Sequence, residues 1–176
     1  MNTSNQQLIQ LCLQGKQKAQ RTLYNQYAVR MYRVCWRYLK NEQDAEEVLA
    51  NGFVKIFKNL EKVEYRDDRS FEAWVKRIMI NESLMQLRKR KNFTIISIAD
   101  APPVEDNLPT DSSLATEDIY NLIFQLPDGY RTIFNLYAIE GFSHKEIAKQ
   151  LGVSVNTSKS QLSKARAMLR SMISKK

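Results

Sequence analysis

The chain has one histidine, two cysteines and five glycines among its 176 residues, and each shortage closes off a class of activity. His144 alone cannot build a histidine-rich metal site, and no Ser/His/Asp or Cys/His nucleophilic set can be argued without it. Cys12 and Cys35 are too few for a disulfide framework or a cysteine-rich zinc site. Cys35 lies on an apolar helical stripe and reads as a small buried hydrophobe, and reduced thiols fit the cytoplasm. The glycines form no phosphate-cradling loop. No apolar run approaches the roughly 18 residues of a membrane span. The stretch Met1–Gln7 lacks the basic segment and apolar core of a secretory leader. The expectation is a soluble cytoplasmic protein without metal or cofactor, not inserted in a membrane and not an enzyme.

Basic residues outnumber acidic ones except in one place. The net charge of +8 suits a polyanionic partner. Residues 1–92 hold 18 Lys and Arg against 10 Asp and Glu, and residues 119–176 hold nine against three. Between them, residues 93–118 hold six acids and no base, together with three of the four prolines, Pro102, Pro103 and Pro109. Two basic bodies therefore flank an acidic strip that reads as a flexible linker. Pro127, the fourth proline, marks a helix boundary. The expected organisation is a domain over 1–92, a linker over 93–116 and a second domain over 117–176.

Both bodies read as helical, and no alternating strand pattern or internal repeat is present. Tyr24, Tyr27, Ala28, Met31, Cys35 and Tyr38 keep the three-and-four spacing of a buried helical face. The same spacing governs Ala45, Val48, Leu49, Ile56 and Leu60, then Phe71, Trp74, Val75 and Ile78, and later Ile119, Leu122, Ile123 and Leu126. The fold class is all-α, with two small helical domains.

The densest local signal runs from Glu140 to Thr157. Gly141 is placed to end one helix, and Ser143 with Glu146 forms a capping box that opens a short one. Leu151-Gly152-Val153 supplies a tight turn, and Ser154 can cap the next helix. This is a helix-turn-helix layout, whose second helix enters the major groove. On that helix Val155, Ser158, Leu162, Ala165, Leu169 and Ile173 make an inner face. Asn156, Thr157, Ser160 and Lys164 are expected to point outward, with Lys159 and Gln161 on the flanks. Short polar and amide groups reach base edges, and lysines reach phosphates. The competing reading is a capped helical hairpin with a merely solvated face. His144, in the first turn of the supporting helix, reads as a surface residue.

The N-terminal body carries a second set of signals. Asp44-Ala45-Glu46-Glu47 opens a helix with acids that suit its dipole. Asp44, Glu47 and Asn51 align on an outward stripe, and the dipole does not explain position 51. A polar loop, Glu64 to Ser70, precedes Phe71-Glu72-Ala73-Trp74-Val75-Lys76-Arg77-Ile78, and the helix ends in Arg88-Lys89-Arg90-Lys91.

These segments, in this order, resemble the extracytoplasmic-function (ECF) sigma factors of bacterial RNA polymerase. The Asp-Ala-Glu-Glu run, the Phe-x-x-Trp-x-x-Arg-Ile run with Asn81, and Leu-Arg-Lys-Arg are similar to that family's promoter-melting domain. Gly-Phe-Ser-x-x-Glu-Ile-Ala-x-x-Leu-Gly-Val-Ser, followed by Lys159 to Arg166, is similar to its upstream-element domain. The resemblance spans about residues 20–92 and 117–172. The runs Lys58-Asn59-Leu60 and Lys159-Ser160-Gln161-Leu162-Ser163 look like the Bacteroidetes branch.

The resemblance implies core RNA polymerase and promoter DNA as partners, and allows for an anti-sigma protein. The stripe of Asp44, Glu47 and Asn51 would dock on the polymerase clamp helices. Arg66, Asp68, Arg69 and Ser70 would capture a flipped base of the minus-ten element. Trp74, Arg77, Asn81 and Arg88 would hold that strand and its phosphates. Asn156, Thr157, Lys159, Ser160, Gln161 and Lys164 would read the minus-thirty-five element, and the acidic linker would thread the polymerase cleft. For Trp74 core packing is the alternative, and for Arg88–Lys91 a solvated helix end. The chain departs from the family at Ala50-Asn51, where Gln-Glu or Gln-Asp is common, at Met85, often Asp, and at Asn156, usually Gly. A stand-alone helix-turn-helix regulator and a helical protein-interaction adaptor are the competing functions.

Overall fold

The apolar stripes become helices in a computed structural model that describes residues 5–90 and 116–174, with side chains from residue 119 in the second stretch. Among the described residues there is no strand, and the fold is all-α. The chain divides after Arg90 into two compact units. The acidic linker expected over 93–116 lies, apart from Thr116, outside the described residues.

The first unit holds α1 (Asn5–Leu13), α2 (Gln17–Leu39), α3 (Glu42–Asn59), a 3₁₀ turn (Leu60–Lys62) and α4 (Asp68–Lys89). Helices α2, α3 and α4 pack on one another, and α1 lies on α2. Leu23, Met31, Cys35 and Tyr38 of α2, Ala45, Val48 and Ile56 of α3 and Val75, Met79, Leu84 and Leu87 of α4 are all buried where these helices pack. Full burial of each large aliphatic side chain is worth about 1.5–3 kcal/mol. Gly52 allows α3 and α4 their close approach, since a Cβ there would overlap Sδ of the buried Met79. Helix α2 ends at Lys40, whose left-handed φ of 53° turns the chain. Asn41 then caps α3 by accepting the Asp44 N–H at 2.8 Å. Both cysteines are buried and free, and burial raises the Cys35 thiol to about 11, so it stays an inert thiol.

Two sequence expectations shift here. Tyr24 is exposed, although its ring packs 4.6 Å from that of Phe53, and Trp74 and Ile78 are only half-buried. The reason is period drift: over α4 the core line runs through Phe71, Val75, Met79, Ile80, Leu84 and Leu87. Helix α1 was not foreseen from the sequence; it buries Leu8, Ile9 and Cys12.

The second unit holds α5 (Thr116–Gln125), α6 (Asp128–Phe134), a π-helical turn (Asn135–Ile139), α7 (His144–Leu151) and α8 (Val155–Ile173). Helix α8 packs on α5, α6 and α7. Leu122, Ile123 and Leu126 close on Ala165 and Leu169, while Ile119, expected on that stripe, is exposed. Pro127 stands at the N-cap of α6. Behind it the buried Arg131 donates to Asp128 Oδ1 at 2.6 Å and to the Leu126 carbonyl at 2.8 Å. A buried charge needs such partners, and these two bind the α5–α6 corner together.

Candidate nucleic-acid interface

The helix-turn-helix is built by the caps read from the sequence. Ser143 N–H and Oγ donate to Glu146 Oε2 at 2.9 and 2.7 Å, and Ser143 Oγ accepts the Glu146 N–H at 3.3 Å. Gly141 ends the preceding helix at φ 76°, and Gly152 makes the turn after α7 at φ 71°. Ser154 accepts the Thr157 N–H at 2.9 Å and so starts α8.

The exposed face of α8 is narrower than the sequence suggests. Asn156 and Lys159 are exposed, and Ser160 and Lys164 are half-exposed. Thr157 and Gln161, expected outward and on the flank, are instead only 4% and 2% exposed. Packing against three helices widens the buried arc of α8 until it covers both positions. The Thr157 hydroxyl lies 2.8 Å from Ser154 Oγ and serves the cap. His144 is not a simple surface residue either. Its ring stacks on Tyr137 at 4.5 Å, its Nδ1 lies 2.9 Å from Ser158 Oγ, and Arg166 lies over the other partner, Tyr137, at 5.6 Å. Burial, with Lys159 and Arg166 nearby, lowers its pKa and favours the neutral ring.

In the first unit, α4 presents Arg77, Asn81, Met85 and Arg88 as an exposed stripe at helical spacing. Met85, 47% exposed, interrupts its polar character. Trp74 flanks the stripe, half-buried, with its ring 5.7 Å from Phe71. The loop before α4 is shorter than expected, because Asp68, Arg69 and Ser70 already form the first turn. Asp67 accepts the Ser70 N–H at 2.7 Å, and Ser70 Oγ accepts the Asp67 N–H at 3.2 Å. Ser70 thus closes a capping box. Asp68 accepts from Asn5 and Tyr65, while Arg66 and Arg69 are exposed.

On α3, Glu47 and Asn51 are exposed on one face with Val54. Asp44, expected on the same outward stripe, is turned aside. Its Oδ2 is 2.6 Å from Arg90 Nη2, and its Oδ1 accepts from Gln86 at 3.2 Å. The Arg90 hydrogen bond holds the Asp44 carboxyl below the usual carboxylate range. Arg90 is therefore a brace within the unit rather than part of a solvated basic tail.

Among the described residues no group of His, Cys, Asp and Glu could hold a metal ion, and no helix is long and apolar enough to cross a membrane. Sequence reasoning passed over Asn5 and Tyr137, and named Tyr65 only within the polar loop and Arg90 only within the basic helix end. The spacing of Leu8, Ile9 and Cys12 was the available signal for α1, and nothing local announced the long-range partners.

Comparison with known proteins agrees with this geometry. Residues 23–93 match sigma-70 region 2, and residues 116–169 match sigma-70 region 4. The chain is 31% identical over 160 residues to the ECF RNA polymerase sigma factor SigE of Mycolicibacterium smegmatis, covering 87% of this chain and 61% of that protein. It is 29% identical over 175 residues to the ECF RNA polymerase sigma factor SigW of Bacillus subtilis, covering 90% and 91%. Among solved structures, the sigma factor RpoE in complex with the anti-sigma factor NepR from Bartonella quintana shares the fold, with a TM-score of 0.54, 22% identity, and coverage of 88% and 96%. The chain belongs to the family of ECF RNA polymerase sigma factors. Sigma factors are transcription-initiation proteins.

Proposed function

We propose that this protein joins core RNA polymerase and directs it to promoters, with the division of labour following the two units. The observation that carries this reading is the presence of both sigma-70 regions, in order, in one chain. A domain over 1–92, a linker over 93–116 and a domain over 117–176 fit that division. The exposed face of α3 with Glu47 and Asn51 docks on the polymerase, with Asp44 acting behind it through Arg90. The α4 stripe of Arg77, Asn81 and Arg88, with Trp74 beside it, holds the minus-ten strand. Arg66 and Arg69 flank the base-capture loop that Asp68 and Ser70 shape. On α8, Asn156, Lys159, Ser160 and Lys164 meet the minus-thirty-five element, while Thr157 and Gln161 hold the helix in place.

An anti-sigma protein is a further partner on this reading, as RpoE has in NepR. The cytoplasm is where polymerase, promoter and factor meet, and the Lys159–Ser163 and Lys58–Leu60 runs support placement in the Bacteroidetes branch. The test is whether the protein co-elutes with core polymerase while the free chain binds duplex DNA only weakly. Phosphate contacts alone give about micromolar or weaker affinity at physiological salt. Nanomolar sequence-specific binding by the free chain, without co-elution, would identify a stand-alone regulator instead.

A further inference from the structure

Asn5 begins α1, yet its side chain is spent on residues far along the chain. It is 8% exposed. Its Nδ2 donates to Tyr27 Oη at 3.1 Å and to Asp68 Oδ1 at 2.8 Å, and its Oδ1 accepts from Gln26 Nε2 at 2.8 Å. A carboxylate only accepts, so the amide nitrogen must face Asp68. The same Asp68 oxygen takes the Tyr65 hydroxyl. The Tyr65 ring packs 6.3 Å from Phe71, and Tyr27 meets Phe71 edge-on at 5.7 Å. The contacts form a closed circuit: Asn5, Asp68, Tyr65, Phe71, Tyr27 and back to Asn5. The arginines on either side of Asp68, Arg66 and Arg69, remain exposed.

We propose that Asn5 is a positioning residue that holds the Tyr65–Ser70 segment in the shape that receives a promoter base. The inference rests on the assignment of that segment to minus-ten recognition. Residues 63–67 lie between the 3₁₀ turn and α4 and belong to no helix. Their shape therefore depends on side-chain ties, and Asn5 of α1 reaches them through Asp68, the first residue of α4, whose Oδ1 also accepts the Tyr65 hydroxyl. A loop fixed before the strand arrives does not have to be ordered during binding, which raises both affinity and selectivity. Asn5→Asp keeps the size of the side chain but sets a carboxylate against Asp68 where a donor stood.

The test uses holoenzyme assembled from core polymerase and the full chain. Its binding to single-stranded minus-ten oligonucleotides carrying each base at each position is followed by fluorescence anisotropy. Wild type should show a clear base preference. Asn5→Asp should lose about tenfold of that discrimination at one position, with co-elution on polymerase unchanged. Exchanging the partners, Asn5→Asp with Asp68→Asn, restores a donor–acceptor pair and should recover most of the loss. Ile9→Val, which weakens α1 packing without touching the amide, should lower the melting temperature and leave discrimination intact. If Asn5→Asp does not assemble, Asn5→Ala removes the donor without adding charge and should cost about threefold by the same ratio. If Arg66→Ala and Arg69→Ala abolish discrimination while the Asn5 variants keep it, the positioning role is wrong and the minus-ten assignment stands. If none of these variants alters discrimination, the minus-ten assignment falls and the role of Asn5 with it. An even loss of affinity for every oligonucleotide would make Asn5 merely structural and overturn the proposal.

Discussion

Arg90 donates from Nη2 to Asp44 Oδ2 at 2.6 Å and to the Leu39 carbonyl at 2.7 Å, so one guanidinium ties the end of α4 to the end of α2 and the start of α3. The residues are 46 apart in sequence. Both side chains are 28% exposed, a setting in which an ion pair is less screened than on open surface.

Asp44→Ala should therefore lower the unfolding free energy of the first unit by about 1–2 kcal/mol at neutral pH. The folded-state pKa of Asp44 is depressed, so its contribution is present above the unfolded value and lost as pH falls through the folded value. The difference between wild type and variant should shrink below about pH 4. Urea unfolding of the full chain, followed by fluorescence of Trp36 and Trp74, measures this. A difference that stays constant from pH 7 to pH 3 would remove Asp44 from the account.

Because Asp44 is a brace, charge reversal there would confuse docking with folding, and Glu47 is the cleaner position. Glu47→Lys on the exposed face of α3 should abolish or strongly weaken co-elution with core polymerase. Its circular dichroism should match wild type, since surface substitutions usually change stability by no more than about 0.5 kcal/mol. Normal co-elution would move the docking site off this face.

On the proposed reading, the exposed residues of α8 read the upstream element and its buried polar residues hold the helix. Asn156→Ala should change which bases are tolerated at one upstream position, by about 1–3 kcal/mol. Lys159→Ala should lower use of all upstream variants evenly and flatten the salt slope by about one unit. Gln161→Ala should leave base preference alone and destabilise the second unit by about 1–3 kcal/mol, since it is buried. Promoter libraries selected with each variant, paired with melting curves, decide among these. A logo altered by Gln161→Ala at unchanged stability would return that residue to the DNA.

His144 joins α7 to α8 through Ser158 and to Tyr137 by stacking. Its pKa is lowered, first by burial and then by Lys159 and Arg166. The folded state thus disfavours the proton, and the stability this represents is lost as pH falls from about 6.5 through the folded value. Protection factors of the α8 amides, taken against the intrinsic exchange rate at each pH, should fall on acidification over that range, and His144→Gln should flatten the response. Equal profiles for the two proteins would contradict it.

The parts legible in the sequence were those set by local chemistry. Ser143 with Glu146, Gly152 and Ser154 act within a turn or two, so their roles follow from spacing. The apolar lines of α2 and α3 show because each faces one continuous core. Gln161 and Thr157 were misplaced because α8 is packed from three sides, a fact of tertiary arrangement that no helical wheel contains. The same holds for Asp44, whose outward register is overruled by an arginine from another helix. Asn5 was missed for a related reason: α1 is nine residues long, too short for its periodicity to stand out, and the partners of Asn5 lie 21 to 63 positions away.

Run-off transcription tests the central claim most directly. Core polymerase, a promoter-library template and the full chain should together yield transcripts with defined starts, preceded by shared minus-ten and minus-thirty-five sequences, and polymerase alone should yield none of them. If adding the protein leaves the transcript pattern of core polymerase unchanged across the library, the chain does not act as a sigma factor.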